Sequence, residues 1–174
     1  MFHFQSKLMI VLISVYNTQE PERSMYERFL YTLLQEREPY QNISHKEIPS
    51  YEDHVKFVRL QPYKGWYVLQ DLESKSFLGA IYLTLENEIG IFISKNHLHQ
   101  GWGSKALEVL YEVYPNVKTL KANVAPYNSK SICFFAAKGF NYSSHLVKDD
   151  TIIQYTYTKI NPFFVEHASE EVTA

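Results

Sequence analysis

The chain has 174 residues, 45% of them hydrophobic, and a net charge of -2. This length suits one domain, which we expect over residues 1–160, with a polar, frayed tail at 161–174. The weak negative charge argues against a broad nucleic-acid surface. Because Cys133 is the only cysteine, no internal disulfide can form, and we predict a cytoplasmic protein. The apolar run Leu8–Val15 is too short to span a membrane and predicts a first strand.

The segment after this strand predicts a polar turn at 17–24 and then two helices. The first, over Met25–Glu38, carries apolar residues on one face and is ended by Pro39. The second begins at a capping box formed by Ser50 and Asp53. We therefore expect two successive helices before the next strand.

Short apolar runs separated by polar turns follow and predict an antiparallel meander. Its strands are Gly65–Asp71, Phe77–Leu85 and Glu88–Ser94. After a glycine loop and a helix we expect a strand at Thr119–Val124 and then a short helix with Asn128 as its N-cap and Gly139 as its C-terminal stop. Strands at Phe140–Ser143 and Thr151–Lys159 follow. The order β-α-α-β-β-β-α-β-α-β-β predicts an α/β (mixed α+β) fold, with a mixed, mostly antiparallel sheet and helices on both faces.

The stretch Glu88–Tyr114 reads as strand, glycine loop and helix. Gly101 and Gly103 lie in the loop, and helical spacing of apolar residues begins directly after them. A glycine loop at the start of a helix presents unpaired backbone N–H groups at the positive end of the helix dipole. This arrangement predicts a binding site for phosphate or another anion.

Two motifs resemble the GNAT family of N-acetyltransferases. The first is EIGIFISKNHLHQGWGSKAL, which is similar to the strand, pyrophosphate loop and helix of that family. The second runs from Asn128 through Ile132 and Phe135 to Gly139-Phe140. The likeness covers nearly the whole chain. It implies the GNAT acyl-CoA N-acyltransferase fold, acetyl-coenzyme A as co-substrate and transfer of acetyl to an amine.

The resemblance also implies a donor site. In the family the strand before the loop splays away from the next strand, and the pantetheine arm lies in the gap. The arm binds to the strand's backbone, which here is Ile91–Ile93, and a backbone N–H there, expected at Phe92, stabilises the oxyanion. The residues expected to contact the donor are Ile91, Phe92, Ile93, His99, Gln100, Gly101, Trp102, Gly103, Ser104, Asn128 and Phe135. The attacking ammonium must lose a proton, and Glu88 is the candidate base, the alternative being an ordinary solvated carboxylate.

The chain departs from the family pattern at three places. Leu98 lacks the hydrogen-bonding side chain usual at the loop, and His99 stands where glycine is usual. Phe135 occupies the place of a tyrosine that protonates the leaving thiolate in the family, and it has no proton to give. Tyrosines that could replace it, left unranked, are Tyr127, Tyr142, Tyr155 and Tyr157.

Several roles stay open at this point. Trp102 either stacks on adenine or packs in the core, and His97 and His99 are either bases or solvated loop residues. The histidines and Cys133 lack ligand spacing, so no metal site is predicted. The acceptor is expected to be a small-molecule amine, such as an amino sugar or amino acid derivative, with a protein N-terminus as the second choice. A coenzyme A-binding module with little catalysis is the alternative from another class.

The resemblance further implies that the loop with His45, Lys46 and Glu47 overhangs the acceptor site. That region contains no acidic run that would suit a polyamine or a histone-like tail. We expect a monomer or homodimer, with neither nucleic acid nor a membrane as partner.

Overall fold

The computed structural model describes residues 9–41, 43 and 47–166. Within them the elements follow the predicted order. The strands are β1 (Ile10–Ser14), β2 (Gly65–Asp71), β3 (Phe77–Leu83), β4 (Ile89–Ile93), β5 (Thr119–Val124), β6 (Asn141–Lys148) and β7 (Thr151–Ile160). The helices are α1 (Glu22–Gln35), α2 (Tyr51–Arg59), α3 (Trp102–Val113) and α4 (Ser129–Ala137), with short 3₁₀ helices at Pro39–Gln41 and Lys95–His97.

The strands form two antiparallel sheets. One has the order β1-β2-β3-β4 and the other the order β5-β7-β6. A single parallel bridge between Glu88 and Lys121 joins them, where the Lys121 N–H donates to the Asn87 carbonyl over 2.9 Å. The predicted mostly antiparallel α/β architecture is confirmed. In the part of the chain that the structure describes, the parallel pairing in this architecture consists of the one bridge between β4 and β5.

Helices cover both faces of the sheets, as predicted. On one face α1 and α2 pack on the first sheet, and on the other α3 and α4 pack across both sheets. The α1/α2 core includes Leu30, Leu33, Val58, Trp66 and Val68. The α3/α4 core includes Leu69, Ile81, Leu107, Leu110, Leu120 and Phe135. Burial of these side chains supplies the main driving force for the fold.

The predicted bounds of α1 are wrong. The helix begins at Glu22, inside the predicted turn, and ends at Gln35, so it lies about one turn nearer the N-terminus. Apolar spacing marks only its buried face, which does not reveal a polar first turn. At the other end, a proline disfavours helical conformation in the residue before it, and α1 has already ended at Gln35. Pro39 therefore begins a 3₁₀ turn and does not end α1.

Strand ends also differ from prediction. β6 extends to Lys148, well past the predicted Ser143, and every residue in it is exposed, so no buried face marked its length. A tight turn at Asp149 and Asp150, both with positive φ, joins it to β7. β3 stops at Leu83, before the predicted Leu85.

The beginning of the predicted frayed tail is docked. Asn161 is buried, and its side-chain amide donates to the carbonyls of Tyr111 (3.3 Å) and Tyr114 (2.9 Å) at the end of α3. His45 and Lys46 of the predicted acceptor loop, the end of the tail from 167 and Leu8 lie outside the described residues. In the described part of the chain, no helix has the length and apolar character needed to cross a bilayer.

Candidate active site

A gap opens between β4 and β5 beyond the Glu88–Lys121 bridge. Among the described residues no strand pairs with the free edge of β4 after that point. The ladder between β3 and β4 shows which backbone groups lie on this edge. Thr84 N–H donates to the Glu88 carbonyl and Ser94 N–H to the Leu78 carbonyl, both over 2.9 Å. Backbone groups alternate in direction along a strand.

The alternation corrects our assignment of the oxyanion group. Glu88 and Ser94 direct their backbone groups to β3, so Phe92, which pairs with Ala80, does the same. Its N–H is committed to the sheet and does not reach the gap. The N–H and carbonyl groups of Ile91 and Ile93 are the ones that face the gap.

The loop that follows β4 and leads into α3 carries free amides, which are backbone N–H groups without hydrogen-bond acceptors among the described residues. Lys105 N–H makes the first helical hydrogen bond, to the Gly101 carbonyl over 3.1 Å. The N–H groups from Gln100 to Ser104 have no hydrogen-bond acceptor in the described part of the chain. Gly101 (φ 85°) and His99 (φ 61°) are both left-handed, which turns the chain into the helix. These donors could bind an anion without any lysine or arginine.

Trp102 packs in the core and does not stack on a ligand. Its side chain is 8% exposed, and its indole N–H donates to Gln100 Oε1 over 3.1 Å. The Gln100 amide donates in turn to the Asn96 carbonyl over 3.3 Å. Gln100 therefore braces the loop, which is the contact that Leu98 cannot make. The Trp102 backbone N–H stays among the free amides.

Residues of α4 meet the loop on its other side. Asn128 is buried and caps α4, since its Oδ1 accepts the Ser131 N–H over 3.2 Å. A Cβ on Gly103 would lie 3.4 Å from the Phe134 ring and 3.7 Å from Ile93 Cγ1. At Gly103, the start of α3 therefore packs against both α4 and the end of β4.

Phe135 is buried in the α3/α4 core. Its ring packs edge-on against Phe134 and Phe140, with ring centres 5.2 and 5.1 Å apart. It offers no proton donor to the gap. Phe135 therefore cannot do what the tyrosine at this place does in the family.

The four candidate tyrosines differ in their distance from the gap. Tyr127 is 81% exposed, and Tyr142 lies on β6, which β7 separates from β5. Tyr155 and Tyr157 lie on β7 beside Val124 and Ala122 of β5. Burial, reinforced by neighbouring tyrosines, raises the pKa of Tyr157. Its phenol is therefore protonated at neutral pH.

Glu88 lies at the narrow end of the gap, on the bridge itself. It is half-buried, and its N–H donates to Thr84 Oγ1 over 3.0 Å. Alternation places its side chain on the same face as Gly90 and Phe92, which is the face covered by α1 and α2. A carboxylate there could receive a proton through water.

The α1/α2 face of β4 carries residues that the sequence did not single out. Tyr63 stacks on Tyr82, with ring centres 4.2 Å apart, and the Tyr82 ring lies over Gly90. The Arg37 guanidinium lies 5.2 Å from the centre of the Phe92 ring. We call Tyr63, Tyr82 and Phe92 the aromatic shelf. The charged run Glu36-Arg37-Glu38 resembles a solvated helix end in the sequence, so it gave no signal.

In the described residues, no group of three or more His, Cys, Asp or Glu side chains is placed to hold a metal ion.

Comparison with solved structures identifies the fold. No protein-family model matches the chain, and no curated protein matches it in sequence. Spermidine N-acetyltransferase from Vibrio cholerae, solved with CoA and spermine, superposes with a TM-score of 0.66 at 17% identity, covering 87% of this chain and 95% of that one. The chain has the fold of that acetyltransferase. A domain from Methanocaldococcus jannaschii matches with a TM-score of 0.68 at 15% identity, covering 88% of this chain and 99% of that one.

Proposed function

We propose that the chain is a GNAT-type N-acetyltransferase that moves acetyl from acetyl-coenzyme A to the primary amine of a small molecule. The observation that carries this proposal is the open edge of β4, which leads directly to the free amides at the start of α3. The Vibrio cholerae neighbour with this fold was solved with CoA and spermine. That ligand supports a coenzyme A site in the fold and an amine as the acceptor.

The free amides from Gln100 to Ser104 would bind the donor's pyrophosphate. Five aligned N–H groups at a helix start attract such an anion, and Gly101 and Gly103 let it approach the backbone closely. Ile91 and Ile93 would hydrogen-bond to the two amides of the pantetheine arm, as a further strand would. Asn128, which is buried at the start of α4, would contact the donor while it caps that helix.

Direct attack then needs a base and an oxyanion donor. Glu88 takes a proton from the ammonium through water, and the neutral amine attacks the thioester carbonyl carbon. The N–H of Ile91 or Ile93 stabilises the negative oxygen that forms. The C–S bond breaks as the amide forms. Phe135 cannot protonate the thiolate, but a thiol pKa of about 8.5 makes water an adequate acid.

A second candidate function is supported by Phe135 itself. This side chain is apolar and buried and cannot act as the acid that tyrosine supplies in the family, which would suit a coenzyme A-binding module with little catalysis. A protein N-terminus is the other candidate acceptor. The α1/α2 face of β4 carries the aromatic shelf, which favours a small acceptor over an extended peptide.

The test combines calorimetry with a thiol-release assay. We expect acetyl-coenzyme A to bind, and an amine panel to give thiol release and an acetylated product identified by mass spectrometry. The panel contains amino sugars, amino acids, polyamines and an N-terminal peptide. Binding without turnover on any amine would favour the module. Absence of binding would overturn both functions, and propionyl and succinyl donors test acyl preference in the same assay.

A further inference from the structure

We infer that the acceptor is an amine that also carries an anionic group, a carboxylate or phosphate, and that Arg37 binds this group. The inference rests on the proposed function and names the acceptor class of the same site. It distinguishes this chain from enzymes that acetylate polyamines, whose substrates are wholly cationic.

Arg37 is held at the end of the gap by its neighbour in the chain. The Glu36 carboxylate accepts the Ser94 hydroxyl over 3.3 Å and the Lys95 N–H over 2.9 Å, directly after β4. This clamp ties the end of α1 to the end of β4. The next residue, Arg37, therefore places its guanidinium over Phe92, between the two residues whose backbone faces the gap.

The guanidinium lacks an anionic partner. No carboxylate in the described part of the chain lies within ion-pair distance of it, and its Nε is buried without a hydrogen-bond acceptor. The carboxylates next to it are engaged elsewhere, Glu36 with Ser94 and Lys95, and Glu38 with Lys95 at 3.3 Å. A buried donor without a partner is costly, and a planar guanidinium matches carboxylate or phosphate.

Arg37 lies on the face from which the acceptor must approach. The free amides belong to α3, so the donor would enter from the α3/α4 face. Direct transfer needs the amine at the same thioester, and the approach opposite to the donor is from the α1/α2 face. Arg37 and the aromatic shelf lie there. An anion on Arg37 would hold the acceptor beside the backbone of Ile91 and Ile93.

The positive charge of Arg37 acts on Tyr63, in the aromatic shelf, and on His54. Burial and the neighbouring Tyr82 raise the pKa of Tyr63, and the Arg37 charge opposes this rise. Burial lowers the pKa of His54, and Arg37 contributes in the same direction. A cation that acts on both side chains would repel a polyamine in this space. The same field would attract an anionic group.

The experiment compares amines that differ only in an anionic group. The pairs are lysine with cadaverine, phenylalanine with phenethylamine, and glucosamine 6-phosphate with glucosamine, and spermidine is a further acceptor. We expect kcat/KM to be at least tenfold higher for the anionic member of one or more pairs. The carboxylate and phosphate pairs distinguish the two kinds of anion. The variants are Arg37→Met, Arg37→Lys and, as a matched control, Arg28→Met. The Arg28 guanidinium, on α1, lies 5.7 Å from the centre of the Tyr51 ring at the start of α2.

Arg37→Met should reduce the anionic preference at least tenfold and leave turnover of the partner without the anionic group within about twofold. Arg37→Lys should keep part of the preference, and Arg28→Met all of it. Turnover that favours spermidine or the amine without the anion, or a preference unchanged in Arg37→Met, would overturn the inference and leave acetyl transfer standing. Failure to bind acetyl-coenzyme A would instead overturn the proposed function.

Discussion

Left-handed backbone at two residues shapes the loop that would hold the donor. Gly101 adopts φ 85° without a steric penalty, whereas His99 adopts φ 61° with a Cβ in place. A non-glycine residue in this region costs about 1–2 kcal/mol. The fold therefore keeps a strained histidine so that the chain can enter α3 with its amides aligned.

Replacement of Gly101 by alanine should weaken donor binding. Because alanine disfavours φ 85°, the loop would shift and the amides from Gln100 to Ser104 would lose their alignment. We expect Kd for acetyl-coenzyme A, measured by calorimetry, to rise about tenfold, with a loss of about 1 kcal/mol of unfolding free energy. Gly139→Ala is the matched control, since Gly139 has φ 80° at the far end of α4. Equal effects of both variants on Kd would contradict the assigned role of the loop.

The sequence identified residues whose role is local. Asn128 and Ser50 were predicted as helix caps from their spacing alone, and both make the capping hydrogen bond. The role of Arg37 could not be predicted in this way. It depends on a clamp between Glu36 and Ser94, which lie far apart in the chain and meet only when α1 packs beside β4.

At the scale of elements, α1 and α2 are joined by an ion pair between a buried carboxylate and a half-exposed guanidinium. Glu27 on α1 is 1% exposed, and Arg59 at the end of α2 donates to both of its oxygens over 2.8 and 3.0 Å. His54 lies beside this pair with a buried Nε2 that has no partner among the described residues. The helix pair that supports the acceptor face thus contains a group that burial holds neutral.

Stability should fall in mild acid because of His54. Burial lowers its pKa in the folded state below the unfolded value of about 6.5. Above that pH both states are neutral. As the pH falls through it, only the unfolded state gains the proton, so the free energy of unfolding decreases.

Urea denaturation at a series of pH values below and above about 6.5 measures this effect. His54→Gln should flatten the decline, and the exposed His145→Gln should leave it unchanged. A decline of equal slope in the wild type and His54→Gln would show that other groups cause it.

Elements of the meander were predictable because they are local. The bounds of β2 and β5 agree with the prediction, since apolar runs and turn residues mark both ends. The direction of each backbone group on β4 was not predictable. It depends on the register between β3 and β4, which a single sequence does not show, and this is why Phe92 was wrongly expected to face the gap.

At the scale of the molecule, two antiparallel sheets meet at one bridge in the described part of the chain. The separation of β4 from β5 results from non-local pairing and was anticipated only through the family resemblance. The likeness in fold confirms that resemblance at the level of architecture. The class of acceptor was not predictable in this way, because it depends on the α1/α2 face, where the sequence contains no linear motif.

Amide hydrogen exchange should distinguish the N–H groups of β4 that face the gap from those that pair with β3. Without donor, the N–H groups of Ile91 and Ile93 should exchange much faster than those of Gly90 and Phe92, which the pairing with β3 protects. Acetyl-coenzyme A should slow exchange at Ile91 and Ile93 and in the loop before α3. NMR exchange measurements on the same sample with and without donor give the comparison. Protection of Phe92 that appears only with donor would restore the original assignment.

An unpaired strand edge normally invites strands from other molecules, and proteins guard against the aggregation that follows. Here the unpaired edge of β4 faces the second sheet of its own chain, so a foreign strand would have to separate the two sheets to reach it. The outer edges of the described sheets belong to β1 and β6. The chain can therefore leave the backbone donors of β4 unpaired for a narrow ligand. The same donors are not exposed to strands of other copies of the chain in the cell.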